Sequence, residues 1–220
     1  MRVKGYTPTW ALDQGQILGN DQLFQALYNT PLSDGKRNGI CSGLSMIWAA
    51  RRMMFHSESA EQRAKAIYTN AAFIWGGKTQ DIHAALSATT GDAYTAMNEL
   101  YGDPLKAYAL RVSGTNCKKE FTSDFRKLAD VATDVADPPG TYTLWSIGLS
   151  TANGNAGHMV ASYSSQGSLI GGKHFYLFDP NLGEYRINAK DSYDFTWNLF
   201  EAYASQFLGV RYIYAFEVVR

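Results

Sequence analysis

Residues 41–55, running Cys-Ser-Gly-Leu-Ser-Met-Ile-Trp-Ala-Ala-Arg-Arg-Met-Met-Phe, predict a single helix that is apolar around most of its circumference. Leu44, Ile47, Trp48, Met54 and Phe55 share one stripe, and Met46, Ala50 and Met53 widen it. A helix of this kind is buried on nearly every side, so the rest of the chain has to be built around it. With 220 residues, 45% of them hydrophobic, the chain can bury such a core without disulfide or metal staples.

The flanking pattern changes character along the chain. Residues 1–18 read as irregular, and Asn20 caps a short helix over residues 21–28. A turn-rich loop follows from Pro31 to Gly39. Beyond the central helix, residues 58–75 predict one helix opened by a capping-box-like Ser57–Glu61 region, with shorter helices at 80–88 and 92–101. The Tyr101-Gly-Asp-Pro104 sequence is expected to end the last of these, and Leu105–Val112 reads as a strand. A helix over Ser123–Val131 precedes a mostly β region. Thr141–Leu149, His158–Ser164, His174–Phe178 and Val210–Val219 carry β-branched and aromatic residues between turn signals, and an aromatic helix at 193–207 interrupts them. Helices first and antiparallel strands later define an α+β fold. One domain over 1–220 is expected, with an N-terminal segment (1–37), a helical half (38–104) and a β-rich half (105–220).

Charge and composition narrow the function. The formal net charge is zero and basic residues come at most in pairs, which argues against nucleic-acid binding. Nothing approaches the roughly 20 apolar residues of a membrane span, so no stable membrane insertion is expected. The N-terminus lacks the uninterrupted apolar stretch of a signal peptide. Two cysteines are too few for a disulfide scaffold and read as free thiols in a reducing compartment. No cluster has metal-ligand spacing, so neither metal nor cofactor is expected. No heptad pattern argues for a partner chain, and a monomer is expected.

Three segments carry chemistry. Cys41 falls on the first turn of the buried helix, where free N–H groups and partial positive charge favour thiolate over thiol. The same N–H groups can donate to an oxyanion. The bland alternative is a small apolar core residue. Gly39 and Gly43 favour the reactive reading, since they let a substrate backbone approach the thiol. His158, in Gly157-His-Met-Val-Ala161, opens a strand after a Gly/Asn-rich turn and suits a general base, or a solvent-facing turn histidine. Asp179 ends a strand at Phe178-Asp-Pro-Asn181, placed to accept from the imidazole Nδ1–H and fix its tautomer, or only to form an Asx turn with Asn181. Among rivals, Cys117 lacks a helix start, His56 and His83 sit on helices, and His174 fits a general-base position poorly. Trp48, Phe195, Trp197, Phe200 and Tyr203 have the spacing of core packing rather than of a ligand platform.

Taken together, Cys41-Ser-Gly-Leu-Ser-x-x-Trp48, Gly157-His-Met-Val-Ala161 and Leu177-Phe-Asp-Pro-Asn-Leu-Gly-Glu-Tyr185 resemble the three motif blocks of the YopT-like cysteine proteases, in the same order and over about residues 38–205. The resemblance implies a papain-like fold, a Cys41 nucleophile, a His158 base and an Asp179 orienting group. It implies a bacterial effector secreted without a classical signal peptide, which cleaves a host protein in the host cytosol. The family completes its oxyanion hole with a polar side chain a few residues before the nucleophile. Asn38 is the amide in that region here, with Asp34 or a backbone group as alternatives. The same triad also suits glutamine deamidation or transglutamination, which begin with the same thioester, and a non-catalytic papain-like module that only binds a protein.

Overall fold

The computed structural model describes residues 1–20, 22, 24–25, 40–84, 91–167 and 172–220, without the side chains of residues 70, 80, 81, 83 and 84. The helices are α1 (Gln14–Leu18), α2 (Cys41–Met54), α3 (Ala60–Ile67), α4 (Asn70–Ala84), α5 (Ala93–Lys106), α6 (Phe125–Ala136) and α7 (Ser192–Gln206). The strands are β1 (Arg111–Glu120), β2 (Tyr142–Thr151), β3 (Gly154–Ser164), β4 (His174–Asp179), β5 (Gly183–Asn188) and β6 (Gly209–Val219). They form one antiparallel sheet in the order β1-β6-β2-β3-β4-β5.

Alternation along the strands splits the core in two. Leu144, Met159, Ala161, Phe178 and Phe216 face α2, α4 and α5. Trp145, Val160, Phe175, Leu177 and Ala215 face α6 and α7. The fold is thus the expected mixture of helices with an antiparallel sheet. Its central helix runs from Cys41 to Met54 and buries Leu44, Met46, Trp48 and Ala49 completely.

Several local expectations differ. The segment expected as one helix over 58–75 is two, because Thr69 Oγ1 accepts the Ala72 N–H at 3.1 Å and starts a new helix. Helix α5 runs through Pro104 to Lys106 rather than stopping at Tyr101. Its Leu105 is a core residue, and Ala109, with φ at 55°, turns the chain so that Leu110 N–H reaches Leu105 O at 3.1 Å. The strand therefore begins at Arg111 and not at Leu105. β5 was not anticipated at all. The helix expected over 21–28 lies largely outside the described residues.

Gly43 is needed for packing rather than for substrate approach. A Cβ there would sit 2.2 Å from the carbonyl oxygen of Gly76, so α2 and α4 cross in backbone contact. Gly39 lies outside the described residues. Gly43→Ala is expected to lower stability by about 1–3 kcal/mol, because neither backbone has a side chain that can move aside. A denaturant midpoint equal to the wild type would refute the close crossing.

The N-terminal segment is not irregular throughout. Thr9 N–H donates to Glu184 O at 2.6 Å, and Glu184 N–H to Trp10 O at 3.0 Å, which extends the sheet past β5. Asp13 caps α1 by accepting the Gln16 N–H at 3.1 Å. The buried Gln14 then joins two distant pieces: its Oε1 accepts the Ile40 N–H and its Nε2 donates to Asn181 Oδ1, each at 3.0 Å.

Candidate active site

The sheet steps inward where α2 begins. β4 pairs with β3 only over Ala161–Ser164, and stops at Asp179. The edge of β3 before Ala161 is left free of a neighbouring strand, and the first turn of α2 lies against it. Ser45 Oγ donates to Met159 O at 2.9 Å and pins the helix to the strand. Among the described residues no side chain caps α2 at Ile40, and the Ser42 backbone N–H is turned to the Cys41 sulfur.

Cys41, His158 and Asp179 meet at this step. The thiol is hydrogen-bonded to the His158 ring and lies against the backbone of Met159 and Ser42. His158 Nε2 is 2.9 Å from Asp179 Oδ1. The ring is thus turned opposite to the expected arrangement, with Nε2 and not Nδ1 on the aspartate. The reason is positional. The outer ring nitrogen spans to the end of β4, while the thiol lies beside the Met159 and Ser42 backbone.

Both partners are buried, His158 at 5% and Asp179 at 0% exposure. A carboxylate that buried needs donors, and it has three. Oδ1 accepts from His158 and from the Asn181 N–H at 2.7 Å, while Oδ2 accepts from the Tyr203 hydroxyl at 2.5 Å. Asp179 therefore makes the Asx turn and holds the histidine at once.

The electrostatics favour an ion pair. Burial pushes the Cys41 thiol up, but the hydrogen bond and charge of His158 and the Met159 and Ser42 backbone outweigh it, leaving the thiol below its ordinary value. Burial pushes His158 down, but Asp179 and the Cys41 sulfur raise it to about 10. Both shifts favour the thiolate–imidazolium pair over the neutral pair. Cys117 is the opposite case: on β1, burial and the charge of Asp92 push it up to about 12.

A cleft of about 420 Å³ opens onto the sulfur, lined by Cys41, Ser42, Tyr101, Ser146, Thr151, Asn153, Asn155, Ala156, Gly157, His158 and Met159. Apart from the Cys–His pair its lining carries no charged side chain. Tyr101 and Ser146 bond to each other across it at 3.0 Å. A larger cavity of about 900 Å³, between the N-terminal segment and Asn181–Leu182, touches none of the three residues.

The other residues singled out in the sequence stand apart. His174 is at the far end of β4, where Arg186 Nη2 lies 3.2 Å from its Nε2. His56 follows the end of α2. Asn38 and the His83 side chain lie outside the described residues, and so does Asp34. Sequence reasoning missed Gln14, Ser45 and Tyr203. Gln14 carried no signal, Ser45 stood in the first motif block without a role, and Tyr203 was read with its aromatic neighbours as core. No His/Cys/Asp/Glu group with metal-binding geometry occurs among the described residues. Among the described residues no helix is long and apolar enough to cross a membrane.

A family model described as Yersinia/Haemophilus virulence surface antigen, peptidase C58, matches residues 19–209. The chain belongs to this peptidase family. It is a cysteine protease, as its three motif blocks led us to expect. Among solved structures the peptidase is similar to the Pseudomonas avirulence protein AvrPphB, with 20% identity and a TM-score of 0.63 over 86% of this chain and 95% of that one. That likeness shows the papain-like fold. No curated protein sequence matches the chain.

Proposed function

We propose that the peptidase cleaves a host protein through a Cys41–His158–Asp179 triad and acts as a bacterial effector in the host cell. The observation that carries this is the single histidine ring shared by a lowered thiol and a buried aspartate, 2.9 Å from its Nε2. The Cys41 thiolate attacks the scissile carbonyl and forms a tetrahedral oxyanion. Backbone N–H groups at the start of α2 donate to that oxygen, with Asn38 the side chain placed by resemblance to complete the hole. His158 gives its proton to the leaving amine, which departs as the carbon–nitrogen bond breaks. Water, losing a proton to the same ring, then attacks the thioester; the acid product leaves and the thiolate returns. Asp179 holds the ring through its Oδ1. All three residues come from one chain, so a monomer suffices.

The test is to incubate a eukaryotic cell lysate with the wild type, Cys41→Ala, His158→Ala and Asp179→Ala, and to quantify new protein N-termini by mass spectrometry. New termini are expected with the wild type alone at full rate. Cys41→Ala and His158→Ala fall to background, and Asp179→Ala retains about tenfold more activity than His158→Ala, because it acts through the ring. Equal termini with all four proteins would end the triad reading. Glutamine side chains gaining about 1 Da, with no new termini, would turn it into deamidation.

A further inference from the structure

We propose that Tyr203 is a positioning residue of this active site, which holds the Asp179 carboxylate in the rotation that serves His158. The proposal rests on the reading of Cys41, His158 and Asp179 as the catalytic triad.

A hydroxyl in a dry core costs free energy unless it is paired. Its neighbours on α7, Phe195, Leu199 and Phe200, are all apolar and fully buried, and a phenylalanine at 203 would pack as they do. The chain places a hydroxyl there instead, and its one partner is Asp179 Oδ2, at 2.5 Å. Among the described residues no other donor reaches Oδ2, whereas Oδ1 is shared by His158 and the Asn181 N–H. A planar carboxylate fastened at both oxygens cannot rotate away from the imidazole. The Tyr203 ring also meets the His158 ring edge-on, with centroids 5.5 Å apart and planes at 77°. One side chain therefore fixes both the aspartate and the histidine.

The groups facing this cluster are Cys41 from α2, His158 from β3, Tyr185 from β5 and Tyr203 itself from α7. Burial and the Asp179 charge push the tyrosine well above its ordinary value, so it remains a neutral donor wherever the enzyme works. Removing the hydroxyl leaves Oδ2 buried and unpaired, which penalises the ionised carboxylate. The carboxylate then holds the imidazolium less firmly, and the Cys41 thiolate paired with it is favoured less.

The experiment measures the rate of Cys41 alkylation by iodoacetamide, and lysate cleavage, from pH 4 to pH 10 in the wild type, Tyr203→Phe, Tyr185→Phe and Asp179→Asn. The acid midpoint of Tyr203→Phe is expected to move up by about one pH unit, with a rate about tenfold lower at the wild-type midpoint. Tyr185→Phe, whose hydroxyl does not bond to the carboxylate, controls for a nearby loss of polarity and keeps the wild-type midpoint. In an Asp179→Asn background, Tyr203→Phe adds no further shift. An unmoved midpoint in Tyr203→Phe, or a rate lowered equally at all pH values, overturns the proposal and leaves only a packing role. If Asp179→Asn itself keeps the wild-type midpoint, the triad reading has failed first. Should Tyr203→Phe not fold, the wild-type proton spectrum decides. A downfield hydroxyl resonance absent from Asp179→Asn supports the clamp, and its absence from the wild type overturns it.

Discussion

Iodoacetamide at pH 6 is expected to label Cys41 and to leave Cys117 bare. An ordinary thiol, with a pKa near 8.5, is less than about 1% thiolate at that pH. Cys117 is worse placed still, since burial and Asp92 push it up to about 12. Cys41 is held below its ordinary value by His158 and by nearby backbone despite its burial. A preference for Cys41 of about a hundredfold or more follows, read by peptide mapping over a time course. The sign of the pH dependence is fixed by the same shifts. Labelling falls away only as pH drops through the lowered Cys41 value. Peptide cleavage, unlike labelling, also falls on the alkaline side as His158 loses its proton near 10, because the leaving amine then lacks its acid. His158→Ala should cut labelling at pH 6 by about tenfold or more. Equal labelling of the two cysteines would remove the ion pair from the account.

Glu184→Ala is expected to cost about 3–5 kcal/mol of stability, seen as a lower urea midpoint. Glu184 is fully buried and accepts from Trp48 Nε1 at 2.7 Å and from Arg63 Nε and Nη2 at 2.9 and 2.6 Å. Arg52 is held nearby, with its Nη1 3.9 Å from the carboxylate and its guanidinium 3.7 Å from the centre of the Tyr176 ring. Truncating the glutamate leaves two buried cations without their counter-charge. Domains of this kind have about 5–15 kcal/mol in hand, so the variant keeps little margin. A loss under about 1 kcal/mol would mean that water reaches the cluster and that the burial is illusory.

What could be read from the sequence was what depends on local pattern. The stripe on residues 41–55 is a property of the helix alone, and a buried helix forms over Cys41–Met54, although Ile47 is only partly buried and Met54 and Phe55 at its end are exposed. The Asp-Pro-Asn turn after a strand is equally local. What could not be read depends on partners far along the chain. β5 is short and polar at Glu184 and Arg186, and it is a strand because Trp10 and β4 lie on either side of it. Gly43 looked like an opening beside a nucleophile because Gly76, its actual neighbour, is on another helix. The ring orientation of His158, with Nε2 on Asp179, depends on where the folded chain brings the strand and the end of β4 together, which no spacing encodes. Tyr203 carries the same lesson, since only the folded chain puts its oxygen against Asp179.

The bonds of Thr9, Trp10 and Gln14 have a consequence for synthesis. Their partners are Glu184, Pro180 and Asn181, far along the chain, and Ile40. On the ribosome residues 9–14 must wait, these hydrogen bonds unmade, until Glu184 has emerged. Contacts of such long sequence separation are among the last to close. Docking of residues 9–14 is therefore a late event in the life of the nascent chain, and a polypeptide cut short before Pro180 lacks the far side of these bonds.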